Sequence, residues 1–80
     1  MTLANAVQKR IRELLIKEDI SMYKLARIGG ISPNTAQGLM SKKYRSVNLR
    51  TVMQIIQAFE MTPSEFFDSP LFIDPNLEVD

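Results

Sequence analysis

Two carboxamides, Asn34 and Gln37, stand just after a Ser32-Pro33 pair and just ahead of the run Ser41-Lys42-Lys43-Tyr44-Arg45. A carboxamide can donate and accept side by side, the pattern adenine presents at N6 and N7 in the major groove of B-DNA. Thr35 can contact a thymine methyl or a phosphate, and Pro33 offers apolar surface only. The hydroxyls and cations that follow suit phosphate oxygens, which position a protein without specifying a sequence. Reading of a polyanion by a short polar stripe is therefore the chemistry these residues could perform.

Other chemistries find little support. The 80 residues contain no His, which removes the commonest general base and the usual imidazole metal ligand. There is no Cys, hence no disulfide and no thiolate zinc site. No carboxylate pair has a suggestive spacing, so we expect no catalytic residue, metal or cofactor. No apolar run approaches the roughly 20 residues of a membrane span, and Met1 to Arg12 lack the apolar centre of a signal peptide. A cytoplasmic protein with no membrane contact is expected.

The net charge of +1 conceals a strong asymmetry. All ten Lys and Arg fall within residues 1–50 beside three acids (Glu13, Glu18, Asp19), a balance of +7. Residues 51–80 hold six acids (Glu60, Glu65, Asp68, Asp74, Glu78, Asp80) and no base, a balance of −6. A basic body with an acidic end favours a polyanionic partner for the first part.

The elements that must carry these residues read as five short helices, an all-α chain. Leu3, Val7, Ile11, Leu14 and Leu15 recur at helical spacing, with Gln8, Lys9, Arg12 and Glu13 mostly on the other faces. Ser21 can cap a second helix running to about Ile28, and Gly29 and Gly30 supply the positive φ of a tight turn. Ser32-Pro33 starts a third helix that ends near Met40 or Ser41. Lys42 to Val47 is a basic loop. Asn48 caps a fourth helix carrying Leu49, Val52, Met53, Ile56 and Phe59. Thr62-Pro63-Ser64-Glu65 has the capping-box form of a fifth, closed by Phe66 and Phe67. The residues divide into a domain over 1–68 and an acidic, irregular C-terminal tail over 69–80, whose Leu71, Phe72 and Ile73 could dock.

Helical geometry selects the outward residues of the third helix. At about 100° per residue, Ala36, Leu39 and Met40 fall together on the buried side. Asn34, Gly38 and Ser41 lie opposite, flanked by Thr35 and Gln37. The candidate base-contacting set is Pro33, Asn34, Thr35, Gln37 and Gly38. Glycine mid-helix costs roughly 1 kcal/mol relative to alanine; Gly38 either allows a closer approach to base edges or is tolerated drift. The candidate phosphate set is Ser21, Met22 and Ser32 at helix starts, where amides favour anions, with Ser41, Lys42, Lys43, Tyr44 and Arg45 behind the reading helix.

The string LARIGGISPNTAQGL, Leu25 to Leu39, resembles the helix-turn-helix of the phage repressor and Cro-like (XRE) family. The resemblance extends over about residues 3–68, with the motif at about 22–41. It implies a five-helix lambda-repressor-like DNA-binding domain that acts as a transcriptional regulator, a repressor by operator occupancy. Leu25 and Leu39 would anchor the two helices, Ala26 would let them approach, Gly30 would make the turn and Ile31 would plug the gap. Two positions depart from the family. Met40 stands where a glutamate often pairs with an arginine of the first helix, and Gly38 stands where a long polar side chain is common. The implied partners are double-stranded DNA and a second copy of the chain, since one small domain offers few base contacts. The alternative function is an antitoxin-like interaction module whose C-terminal tail binds a protein partner.

Overall fold

Each helix begins at a side chain that accepts an otherwise orphaned backbone N–H. In the computed structural model, which describes residues 1–44 and 46–79, Thr2 Oγ1 accepts from Asn5 N–H (3.1 Å) to open α1 (Leu3–Glu18). Ser21 Oγ accepts from Lys24 N–H (3.1 Å) to open α2 (Met22–Gly29). Ser32 Oγ accepts from Thr35 N–H (3.2 Å) to open α3 (Pro33–Leu39). Asn48 Oδ1 accepts from Thr51 N–H (3.3 Å) to open α4 (Leu49–Ala58). Thr62 and Glu65 form a reciprocal capping box (3.1 and 2.9 Å) at α5 (Pro63–Phe67). The architecture is all-α, with five helices and no strand among the described residues.

The helices end as sharply as they start. Asp19 (φ 54°), Gly30 (φ 67°) and Glu60 (φ 58°) take left-handed conformations, turning the chain after α1, α2 and α4. Of the Gly29-Gly30 pair only Gly30 has positive φ, so the turn requires one glycine where the sequence suggests two. Gly29 is the last residue of α2 and serves packing instead. A Cβ there would lie 3.2 Å from both Ala58 Cβ and the Gln54 carbonyl oxygen, so its absence lets α2 approach α4.

One core joins all five helices. Val7, Ile11 and Leu14 of α1 meet Leu25 and Ala26 of α2, Ala36 and Leu39 of α3, and Val52, Ile55 and Ile56 of α4. Ile31 fills the space after the turn, and Phe59 and Phe66 close the far end. Gln8, expected on an outward face, is only 6% exposed. Arg10 binds α5 from α1: its Nε donates to the Phe66 carbonyl (2.7 Å) and its Nη2 to the Glu65 carbonyl (3.0 Å).

The acidic end is not loose. Ser69 is buried, Pro70–Phe72 forms a 3₁₀ turn, and the Phe72 ring meets Phe67 edge-on (4.9 Å). Farther on, Leu3 N–H donates to the Glu78 carbonyl (2.8 Å) and Glu78 N–H to the Met1 carbonyl (3.0 Å). The apolar docking anticipated for Leu71-Phe72-Ile73 is thus met by Phe72 and in part by Leu71, whereas Ile73 is 78% exposed.

Candidate nucleic-acid interface

α3 presents two contrasting faces because its small apolar residues recur on one side. Ala36 and Leu39 are buried and Met40 half-buried, while Pro33, Asn34, Thr35, Gln37 and Gly38 are all exposed. Asn34 and Gly38 lie along one ridge of the helix, continuing to Ser41. To one side an open groove of mixed character, about 540 Å³, runs past Thr35, Gly38, Ser41, Lys43, Tyr44 and Thr51. To the other, an apolar depression of about 480 Å³ separates Pro33, Gln37 and Met40 from Met22, Tyr23 and Arg27 of α2. The ridge is therefore flanked by concave surface on both sides.

The hydroxyls at the start of this helix are already engaged. Ser32 Oγ, besides capping, lies 2.9 Å from Thr35 Oγ1 in a hydroxyl–hydroxyl hydrogen bond. That contact fixes the Thr35 rotamer and leaves its methyl free to meet an apolar partner. Asn34 and Gln37 have no side-chain hydrogen bond among the described residues, so their amides are available without breaking an internal contact.

Open space surrounds Gly38. No atom lies within 4 Å of the position a Cβ would occupy, so its packing does not call for glycine. Nothing within the chain explains it.

Of the cations expected at the phosphates, Lys43 lines the groove beside Gly38, whereas Lys42 lies in a separate groove with Lys9 and Arg12 of α1. Among the described residues the one ion pair is Arg10–Glu13 (4.0 Å), which leaves Lys24, Arg27, Lys42 and Lys43 without a described carboxylate partner. Ser41 Oγ accepts from Lys43 N–H (3.1 Å), which turns the chain directly behind the helix. Ser21 and Ser32 are exposed. Met22 is half-buried and lines the apolar depression, so what it can present to an anion is its backbone N–H at the start of α2.

The sequence places Tyr44 among the phosphate contacts, but its hydroxyl is buried and has no hydrogen-bond partner of sound geometry. Burial pushes the phenol above its ordinary value of 10.0, an effect partly offset by the backbone amide of Asn48. Its ring is half-buried, packed against the core at one side of the groove beside Thr35 and Gly38, with the hydroxyl turned away from solvent. Arg45 lies outside the described residues.

The fold also brings in residues that local reading does not select. Arg50, in the first turn of α4, lines a second, polar groove with Ser32, Thr35, Asn48 and Thr51. Ser46 joins Thr35 and Gly38 along the larger one. Their sequence signal is weak: one basic residue after a cap, and one serine in a loop.

Among the described residues, no group of His, Cys, Asp or Glu could hold a metal ion, and no helix is long and apolar enough to cross a membrane. No curated protein and no solved structure matches the chain. Comparison with protein families matches residues 10–70 to the Cro/C1-type helix-turn-helix DNA-binding domain, a DNA-binding rather than an enzyme family. With helices α2 and α3 joined by a single glycine turn and α3 presenting an exposed polar ridge, the chain belongs to the Cro/C1-type helix-turn-helix DNA-binding family.

Proposed function

We propose that the protein regulates transcription, as a repressor, by laying α3 in the major groove of an operator. The observation that carries this reading is the exposed pair Asn34, on the ridge, and Gln37, on the edge of the apolar depression beside it, both without side-chain hydrogen-bond partners among the described residues. Asn34 is the principal base reader and Gln37 the second, each matched to adenine by its paired donor and acceptor. Thr35 and Pro33 supply apolar contacts, and Gly38 lets the helix backbone approach base edges. Phosphates are held at the Ser21-Met22 and Ser32 helix starts and by Ser41, Lys42 and Lys43, with Arg50 added from α4.

A two-fold dimer on paired half-sites supplies the base contacts that one domain lacks. The partner-binding alternative draws less support. The acidic end packs Phe72 against its own core, and among its described residues Ile73 and Val79 are the exposed large apolar side chains.

Selection of bound duplexes from random DNA tests the reading. It should enrich a short motif, and N34A should lose preference at one position of it. Failure to enrich any motif refutes sequence-specific binding. K42A and K43A should weaken all duplexes alike and each lower the salt slope by about 1.

A further inference from the structure

We infer that Gln8, on the first helix, is a positioning residue for DNA reading: it holds the C-terminal end of α3 at a set pitch. The inference rests on α3 being the reading helix.

The last carbonyls of a helix have no partner within it and must find one elsewhere. In α3 the chain tightens first, with Met40 N–H donating to the Gln37 carbonyl (3.2 Å) and Ser41 N–H to the Gly38 carbonyl (3.1 Å). The carbonyls of Leu39, Met40 and Ser41 find partners on α1. Gln8 Nε2 donates to both the Leu39 and the Ser41 carbonyls, each at 2.7 Å. Arg12 Nη2 reaches the Met40 carbonyl between them at 3.4 Å. Two acceptors on one side of the amide require the NH₂ group there, so the orientation of the Gln8 side chain follows from its partners.

The placement of this fork gives it leverage. Gln8 is 6% exposed; its bond to the Leu39 carbonyl is buried and that to the Ser41 carbonyl part-buried, so a lost donor leaves at least the Leu39 carbonyl unsatisfied away from water. The two carbonyls belong to residues flanking the C-terminal end of the ridge, directly after Gly38 and directly before Lys42. At roughly 1.5 Å per residue, α3 is only about 10 Å long. Its start is fixed by the Ser32 cap and the Gly30 turn, and its end by Gln8. A tilt of about 10° at the freed end displaces side chains by more than 1 Å, beyond the roughly 0.5 Å that a functional constellation tolerates. Gln8 touches no DNA; it directs the residues that do.

The test compares wild type, Q8M, N34A and Q37A on the selected operator and on an unrelated duplex, at a temperature where circular dichroism shows each chain folded. Methionine matches glutamine in length and offers no donor. Q8M should lose about tenfold in operator affinity, comparable to one bidentate base contact, with unrelated-duplex affinity and salt slope unchanged. In the free protein, the Gly38 and Lys42 amide resonances should also move. Where Q8M does not fold, Q8N, which keeps an amide too short for both carbonyls, carries the same comparison. The inference is overturned if operator and unrelated duplex weaken together, or if neither weakens. Operator preference unaffected in N34A and in Q37A alike would instead refute α3 as the reading helix; a defective N34A beside a normal Gln8 variant refutes positioning alone.

Discussion

Replacing Arg10 by alanine should destabilise the fold without altering the DNA surface. Helix α5 has five residues, too few to persist by itself. Two carbonyls of its last turn, those of Glu65 and Phe66, accept from the Arg10 guanidinium at 3.0 and 2.7 Å. The guanidinium also lies 5.9 Å from the Phe66 ring centroid. The bond to the Phe66 carbonyl is part-buried and weakly screened, the one to the Glu65 carbonyl is exposed and contributes less, and the ion pair with the 53% exposed Glu13 adds little. Hydrogen bonds from a charged donor contribute about 1.5–3 kcal/mol, and two that share one group do not add fully. R10A should therefore cost about 2–3 kcal/mol, which for a domain this size lowers Tm by roughly 10–20 °C. Urea and thermal unfolding followed by circular dichroism measure both quantities. R10K should fall between, because an ammonium lacks the planar fork that spans two carbonyls. Operator affinity of the folded fraction should not change. A loss below about 0.5 kcal/mol, the range of an ordinary surface substitution, would refute the tethering of α5 from α1.

Three further outcomes are expected. G38A should raise stability by up to about 1 kcal/mol, since alanine favours the helix and its Cβ meets nothing within 4 Å, yet weaken operator binding; stability and affinity moving the same way would show that Gly38 is not a close-approach position. Y44F should keep DNA affinity and hold or gain stability, because it removes a buried hydroxyl without a partner. Burial raises the folded phenol's pKa, so wild-type stability should fall as pH rises past 10.0, a slope that Y44F removes; an affinity loss in Y44F would restore Tyr44 as a phosphate contact. The Thr62 backbone bond, then its side-chain bond, hold the Glu65 carboxyl below the usual carboxylate range. Its stabilising effect is thus present above the unfolded value and lost as pH falls through the lowered folded one, and acid titration of T62A should show a smaller dependence.

Much of this architecture is legible from local chemistry. Ser21, Ser32, Asn48 and Thr62 declare the starts of four helices because a cap needs only a side chain and an amide three residues on. The buried side of α3 follows from periodicity alone. Gln8 is hidden from the same reasoning: a polar residue on an amphipathic helix reads as outward, and its acceptors lie 31 and 33 residues away. Gly29 is mistaken for a turn residue because its real constraint, the approach of Ala58 and the Gln54 carbonyl, arises only when α2 crosses α4. Tyr44 sits in a basic run, and nothing local says that its ring turns inward. The acidic end looks irregular because its bonds run to Met1 and Leu3, at the opposite end of the chain.

The central claim is that the ridge of α3, the start of α2 and the turn after Ser41 together face DNA. Titrating isotope-labelled protein with a short duplex and following each backbone amide by NMR tests it directly, whatever the operator sequence. The largest shifts should fall at residues 21–24, 32–38 and 41–43, while 69–79 barely move. Shifts concentrated at Ile73 to Val79, with Asn34 and Gln37 unmoved, would contradict it.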